Sequence, residues 1–368
     1  MLSWIPGLVL FGVLIAIHEL GHFLACRFTK VKVEKFSIGF GPEILKFKGR
    51  ETLYTLSLLP LGGFVKPAGE QLSEVEGGKP RPGDYLAAPV GARIFIVCAG
   101  VLMNYLLAFA LLFAFFVMPH TIPANVLGEV QKDSPAAAAG LMKGDRIISV
   151  DDVAVKNFSE IKDKIVSSSA AHLDFFIERQ GLDGNILPMN LKVQPRIVER
   201  RDLFGKKFSE RYAGFVPDMA ITIPEQYSTV EALQKAVEFE WNYTVLSHKA
   251  IFYLLTGQMS AKNLSGPVGI VKMSGEAAKQ GAAALIFLAA ILSTGLAVFN
   301  LLPFPALDGG HLVFLLVEAI TGKPVSLKIQ ERAATVGFIL LMGLMVVVFY
   351  NDLVNLSVFS KIKEFFHR

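Results

Sequence analysis

Three ionisable side chains lie close together in an otherwise apolar stretch. His18, Glu19 and His22 form the pattern H-E-x-x-H within residues 4–28, a segment long enough to cross a bilayer. Ionisable groups at that depth are costly and need a compensating partner. Positions i and i+4 share one helix face, so His18 and His22 could bind one zinc ion. The alternative is a pair of structural histidines that bond to neighbouring helices.

Glu19 follows the first histidine directly, so it would lie beside the ion rather than on it. At that place a carboxylate can accept a proton from a water molecule that zinc has made more acidic. The pattern therefore predicts hydrolytic chemistry.

A catalytic zinc site usually has three protein ligands and one open position. The best third candidate is Asp308 in NLLPFPALDGGH, residues 300–311, where a double-proline break ends an apolar span at the membrane boundary. Two alternatives stay open. Asp308-Gly309 could be only a turn signal, and His311 is a rival ligand, although no spacing rule demands it.

The composition indicates an integral membrane protein. Of the 368 residues, 52% are hydrophobic and only 18% are charged, below the roughly 25% of a soluble domain. A net charge of +4 without a basic run predicts no nucleic-acid partner. The two cysteines, Cys26 and Cys98, imply no disulfide framework. The first apolar stretch is interpreted as a retained span, because its removal would also remove the metal motif.

Four apolar stretches are predicted to span the membrane: residues 4–25, 94–118, 282–302 and 333–350. Lysine and arginine set the orientation. The loop over residues 27–93 is rich in both, so it and residues 323–332 should be cytoplasmic. The long segment 119–281 and both chain ends should then be extracytoplasmic, with Lys361, Lys363 and Arg368 a mild exception. In a bacterium this is a multi-pass protein of the cytoplasmic (inner) membrane.

The sequence between the spans predicts further structure. Glycine and proline punctuation over residues 33–66 predicts a β-hairpin loop that dips partly into the membrane, with an ordinary cytoplasmic hairpin as the alternative. Residues 119–197 predict a compact α+β module. Residues 198–280 are expected to be a linker with an amphipathic helix over about 228–256, opened by a capping box. Residues 1–118 and 281–368 hold the two pairs of spans.

Several motifs of the chain together resemble those of a known family. HELGH in a first span with N-x-x-P-x-P-x-L-D-G in a later one is similar to the site-2 protease family of intramembrane metalloproteases. The resemblance includes G-x-x-x-N at 100–104, PLGGFVK at 60–66 and SGPVGI at 265–270. The module with SPAAAAGLMKGD, residues 134–145, resembles a PDZ domain, and the closest group is the RseP-like regulators of sigma factors.

The resemblance implies roles for particular residues. It implies zinc as the cofactor, with His18, His22 and Asp308 as ligands and Glu19 as the catalytic acid/base. It also implies substrate contacts, and the candidates are Asn104, Gly62, Gly63, Phe64 and Asn300. An ordinary helix–helix hydrogen bond is the alternative for Asn104. Two features depart from the family: Val101 stands where the second-span motif often has proline, and the chain has room for one PDZ-like module rather than two.

The expected fold is an α-helical membrane protein with four transmembrane helices, a membrane-associated β-hairpin loop and an inserted PDZ-like domain. The expected function is zinc endopeptidase activity within transmembrane segments. The resemblance implies single-span substrates such as anti-sigma factors or remnant signal peptides, in regulated intramembrane proteolysis after a first cut by a site-1-type protease. Membrane lipid is a further partner.

The PDZ-like module could bind C-termini or strands through a groove beside residues 126–130, or it could only exclude bulky substrates. Two rival functions stay open. One is a membrane-anchored PDZ adaptor or chaperone with a structural metal site, which the presence of Glu19 disfavours. The other is a transporter that uses histidine and aspartate as a proton relay, which the lack of an inverted repeat disfavours.

Overall fold

The computed structural model describes residues 5–70, 80–181, 183–201, 207–259 and 265–355. The chain divides into two compact units. The first combines Met1–Phe116 with Thr229–Arg368, and the second is Val117–Ser228. Each unit has its own packed interior, and each is described by itself below.

The first unit is mainly helical. Its helices are α1 (Ile5–Phe28), α2 (Val90–Val117), α5 (Thr229–Leu255), α6 (Pro267–Gln280), α7 (Ala282–Asn300), α8 (Asp308–Thr321) and α9 (Leu327–Asn355). Among the described residues, four of the unit's helices are long and apolar enough to cross a membrane: Ile5–Phe28, Val90–Val117, Ala282–Asn300 and Leu327–Val354. The four predicted spans are therefore confirmed. Helices α6 and α8 were not expected as separate elements.

Close approach of backbones brings α1 against its neighbours. A Cβ atom on Gly21 would lie 2.3 Å from the Ala99 carbonyl oxygen of α2, and one on Gly7 would lie 2.8 Å from the Val271 Cα of α6. No side chain fits at such distances, so glycine is required at both crossings. The glycine of HELGH thus sets how near α2 comes to the two histidines.

The predicted hairpin loop is two long strands, β1 (Val33–Lys48) and β2 (Leu53–Pro67), that pair with an irregular register. Ser37 lies opposite both Phe64 and Thr55, because each strand folds back on itself. Residues 63–66 therefore form an outer segment of this sheet, with residues 35–38 on one side. Several side chains elsewhere in the hairpin are exposed and apolar, among them Ile44, Leu45 and Phe47.

The second unit is an α+β domain. Its strands are β3 (His120–Pro123), β4 (Leu127–Val130), β5 (Arg146–Val150), β6 (Val153–Ala154), β7 (Leu173–Gln180), β8 (Ile186–Val193), β9 (Arg196–Arg201), β10 (Lys207–Tyr212), β11 (Phe215–Pro217) and β12 (Thr222–Glu225). Its helices are α3 (Pro135–Ala138) and α4 (Phe158–Ser167). Strands β6-β5-β7-β8 form the largest sheet, and the fully buried Phe175 and Ile161 lie in one apolar core. Asn157 caps α4, accepting a hydrogen bond from the Glu160 N–H.

This unit reaches further along the chain than the predicted module of 119–197. Strand β11 pairs with β4, and β12 pairs with β3, so residues up to Ser228 belong to the same compact body. The segment looked weakly patterned because its strands are short and lie between glycines and prolines, which hides the two-residue alternation.

The groove predicted beside residues 126–130 is not free, so that prediction is wrong. On one side Leu127 bonds to the backbone of Gly144 and Asp145, and on the other side β4 pairs with β11. A strand whose two edges are already paired cannot accept a peptide. Short-range turn signals do not reveal this pairing, because β11 lies about 90 residues after β4.

Candidate metal centre

Three side chains from two distant parts of the first unit converge. His18 and His22 lie one turn apart on α1, and their Nε2 atoms are 3.2 Å apart. The Asp308 Oδ2 atom lies 3.0 Å from the His18 Nε2 and 3.4 Å from the His22 Nε2. Possible ligand atoms of all three residues lie within 4.8 Å of one another. Such a set, two imidazole nitrogens and one carboxylate oxygen, is typical of zinc.

A compact turn delivers the aspartate to this place. Helix α7 ends at Asn300, and α8 begins with Asp308 itself. The turn between them folds tightly: a Cβ atom on Gly309 would lie 2.1 Å from the Leu302 carbonyl oxygen, and one on Gly310 would lie 2.5 Å from the Phe304 carbonyl oxygen. The two glycines after the aspartate are therefore needed for the backbone to close, and Asp308-Gly309 is more than a turn signal.

Outer contacts orient the two imidazoles. The His22 Nδ1 atom lies 2.8 Å from the Ile96 carbonyl oxygen, which accepts its proton and leaves Nε2 free for an ion. The side-chain amide of Asn104, which is fully buried in α2, lies 3.3 Å from the His18 Nδ1. The Asn104 side-chain oxygen, Oδ1, has no hydrogen bond among the described residues. With that oxygen turned towards His18, Asn104 would hold the second imidazole in the same way.

The site fits a metal ion on two observations. The Asp308 Oδ2 atom is buried without a hydrogen bond in the described part of the chain, although two nitrogens face it. A cation between these three atoms would satisfy all of them. In addition, a Cβ atom on Gly100 would lie 2.3 Å from the His22 Nε2 and 2.8 Å from the His18 Cε1. Glycine at this position of α2 therefore leaves room for both imidazoles.

Glu19 lies between the three-residue cluster and the sheet. Its carboxylate interacts electrostatically with His18, His22 and Asp308, and the Val65 N–H of β2 lies near it. A Cβ atom on Gly63 would lie 3.1 Å from the Glu19 Cγ. A backbone N–H of the outer segment 63–66 is thus turned towards the site.

The remaining candidates, the predicted substrate contacts and the rival ligand, differ in how closely they approach the cluster. The Asn300 Nδ2 atom is 3.3 Å from the His18 Nε2, so this residue borders the cluster directly. Gly62, Gly63 and Phe64 lie in β2, and the Phe64 ring lies 5.2 Å from the Lys35 Nζ. His311, the rival ligand, has an exposed side chain and lies outside the three-residue cluster of the described chain.

Sequence reasoning missed two contributors to this site. The Ile96 carbonyl could not be found, because any residue type offers the same backbone acceptor. The other is an ion pair between Arg93 of α2 and Glu318 of α8, whose side chains are only 9% and 13% exposed. Its signal was present: Glu318 is the single acidic residue in the apolar run LVFLLVEAI.

Comparison with known proteins identifies the family. A family model described as "Peptidase family M50" matches residues 6–344. The chain is similar to proteins that carry the name "putative zinc metalloprotease". The relative from Agrobacterium fabrum is 34% identical, with 96% of each chain covered. Those from Brucella suis and Clostridium acetobutylicum are 37% and 36% identical, covering 95% of this chain and 94% and 96% of their own.

Proposed function

We propose that this chain cleaves peptide bonds within transmembrane segments. The premise is that it belongs to peptidase family M50, the zinc metalloproteases of site-2 protease type. One observation carries the proposal: His18, Glu19 and His22 lie on a helix apolar enough to cross a membrane, and Asp308 and an outer strand segment lie beside them.

In the proposed site, His18, His22 and Asp308 hold the zinc ion. When bound, zinc supplies a Lewis acid that polarises the scissile carbonyl and makes water more acidic. Glu19 accepts the proton of the attacking water and passes it to the leaving amine. Ile96 and Asn104 keep the imidazole tautomers that leave both Nε2 atoms free. Asn300 borders the cluster closely enough to hydrogen-bond a substrate carbonyl next to the scissile bond.

A transmembrane helix hides its peptide bonds in its own hydrogen bonds, so it must unwind before hydrolysis. The outer segment Gly63–Lys66 offers backbone groups next to Glu19 that could pair with the unwound strand. Gly62, Gly63 and Phe64 are proposed to contact substrate there. A model substrate with proline or glycine inserted near the cleavage position should be cut faster than its poly-leucine counterpart, because less helix must unwind. An unchanged rate would contradict the pairing.

We further propose single-span membrane proteins already shortened by a site-1-type protease as substrates, anti-sigma factors and remnant signal peptides among them. The lysine- and arginine-rich loop 27–93 supports a cytoplasmic β-hairpin, an extracytoplasmic second unit and extracytoplasmic termini, in the cytoplasmic (inner) membrane of a bacterium.

The second unit is proposed to be PDZ-like. The strand available to a peptide is β11, whose outer side no strand occupies among the described residues, and α4 lies near it through the Phe158–Phe215 ring contact of 5.9 Å. It could bind substrate C-termini there or only exclude bulky domains. Titration of the protein with a C-terminal peptide and with its amidated form separates the two roles.

The test of the proposed chemistry is Glu19→Gln. The variant should keep its zinc and its fold, because glutamine preserves the shape of the side chain, while cleavage of a model transmembrane substrate falls at least 100-fold, since general-base catalysis contributes roughly 10²–10⁴. Zinc is measured by elemental analysis of purified protein. Glu276→Gln, on the exposed side of α6, is the matched control. Undiminished cleavage by Glu19→Gln would refute the assigned role. If the protein were instead a membrane-anchored adaptor with a structural metal site, neither Glu19→Gln nor Glu276→Gln would change the measured cleavage.

A further inference from the structure

Helix α8 brings Asp308 to the cluster, yet little apolar packing holds it. Among its fourteen residues only Gly309, Gly310 and Leu315 are buried, and the two glycines belong to the first turn. Val313, Leu316, Val317 and Ile320 are exposed by 40%, 45%, 40% and 84%. The rest of the helix therefore needs some other contact to fix its orientation.

The Arg93–Glu318 ion pair supplies such a contact. The Arg93 guanidinium bonds both carboxylate oxygens of Glu318, with Nη2–Oε1 at 2.6 Å and Nη1–Oε2 at 3.1 Å, and its Nε donates to the Ala88 carbonyl oxygen. This fork geometry fixes direction as well as distance. Burying an ion pair adds little stability and can cost it, so the pair is better explained by the geometry it imposes.

The same helix α2 also shapes the metal centre. Arg93 lies in its first turn, and Gly100 and Asn104, which pack against the two histidines, follow about two and three turns later. Helix α8 is thus tied to α1 through Asp308 at the cluster and to α2 through Glu318, ten residues or about 15 Å further along.

Two such points determine the rotation of a helix about its own axis. The Asp308 carboxylate lies several ångströms from that axis, so a rotation by about 20° would move it by roughly 2 Å. Metal–ligand distances tolerate only about 0.2 Å. A modest loss of orientation would therefore remove the third ligand without unfolding the protein.

We propose that Arg93 and Glu318 are positioning residues that set the rotation of α8 and so keep Asp308 on the zinc ion. This inference rests on the proposed role of Asp308 as a ligand. Neither residue touches the reacting atoms; they act through α8.

The experiment measures zinc affinity by chelator competition in the purified full-length protein. Arg93→Met and Glu318→Leu should each weaken zinc binding about 10–100-fold, the usual effect of losing an outer partner of a metal site. Arg93→Lys should weaken it less, because lysine keeps the charge but not the two-pronged geometry. The charge-exchanged pair Arg93→Glu with Glu318→Arg should recover part of the affinity.

The double variant Arg93→Met/Glu318→Leu separates positioning from stability. It leaves no unpaired buried charge, so thermal unfolding should stay near that of the wild type while zinc affinity still falls. Arg27→Met with Glu51→Leu is the matched control, because that pair is 46% and 49% exposed. It should change neither quantity.

Wild-type zinc affinity in the folded double variant would overturn the inference. If the double variant does not fold, the charge-exchanged pair decides. A loss of zinc affinity in that pair as large as in the single variants would also overturn the inference. Failure of the proposed function would give different results. Zinc binding that survives Asp308→Ala would show that Asp308 is not a ligand. Full cleavage by Glu19→Gln would refute the role of Glu19 and would leave the inference about Arg93 and Glu318 untouched.

Discussion

Two aspartates, one in each unit, show how a structural carboxylate differs from a candidate metal ligand. Asp145 of the second unit is fully buried and completely bonded: Arg179 reaches both of its oxygens at 2.7 and 2.8 Å, and the Met142 N–H donates to Oδ2. Asp308 of the first unit faces two imidazole nitrogens, and its Oδ2 has no hydrogen bond among the described residues.

The physical reason lies in the partners. A guanidinium carries its own charge and five donors, so the Asp145 pair needs nothing more, and the carboxylate in turn raises the pKa of Arg179. Two imidazoles that donate through Nδ1 have only lone pairs left at Nε2. A carboxylate and two lone pairs repel one another unless a cation lies between them. The comparison therefore predicts opposite responses to substitution.

The largest effect is expected at Asp308. In Asp308→Ala zinc should be lost and cleavage should fall more than about 100-fold, beyond the usual cost of an outer partner. His311→Ala is the control and should keep both its metal and most of its activity. Elemental analysis and a cleavage assay measure the outcome. Loss of zinc in the His311 variant but not in the Asp308 variant would exchange their roles.

The next effect tests the space around the ion. Gly100→Ala places a methyl group where both imidazoles lie, so zinc affinity should fall roughly 10–100-fold, as for a displaced outer partner. Gly91→Ala is a matched control on the same helix, because nothing lies within 4 Å of its Cβ position. Equal zinc affinity for the two alanine variants would show that the site can expand, and would weaken the fit.

Asp145 should respond in stability rather than in metal content. Asp145→Ala removes the partner of Arg179, whose side chain is 21% exposed, and leaves the Met142 N–H without its acceptor, so the second unit should lose about 1–3 kcal/mol of unfolding free energy. Zinc content should not change. Limited proteolysis in a urea series measures the first and elemental analysis the second, and Glu199→Ala in an exposed pair is the control. Zinc loss in the Asp145 variant would contradict a purely structural role for Asp145.

The smallest effect concerns a third carboxylate, that of the half-buried Glu240 in α5. The Thr294 hydroxyl of α7 donates to its Oε1, while Oε2 has no hydrogen bond in the described chain, and burial raises the pKa to about 7 from an ordinary 4.5. Because the folded pKa is raised, the favourable contribution is complete below about pH 4.5 and is lost as pH rises through about 7. The packing of α5 on α7 should weaken accordingly.

Melting temperatures between pH 5 and 8 check this behaviour. The wild type should lose a few degrees over that range relative to Glu240→Gln, since glutamine does not titrate. Glu238→Gln, whose side chain is 64% exposed, is the control. Identical pH profiles for the wild type and Glu240→Gln would show that the oxygen without a partner is solvated.

The sequence alone determined the features that depend on near neighbours. H-E-x-x-H places two imidazoles on one helix face by helical periodicity, and the four spans follow from runs of apolar residues. The α+β module predicted over residues 119–197 followed from alternation and capping, because these signals act over a few residues. The family followed from motifs that lie about 280 residues apart but match together.

The tertiary structure decided what the distant segments do for one another. It alone showed that β11 covers β4, that Gly100 makes room for the imidazoles, that the Ile96 carbonyl orients His22, and that Arg93 ties down the helix of Asp308. Each of these contacts joins segments with no local pattern in common. They arise only when apolar surfaces have packed and a buried polar atom must find a partner, which no single stretch of sequence specifies.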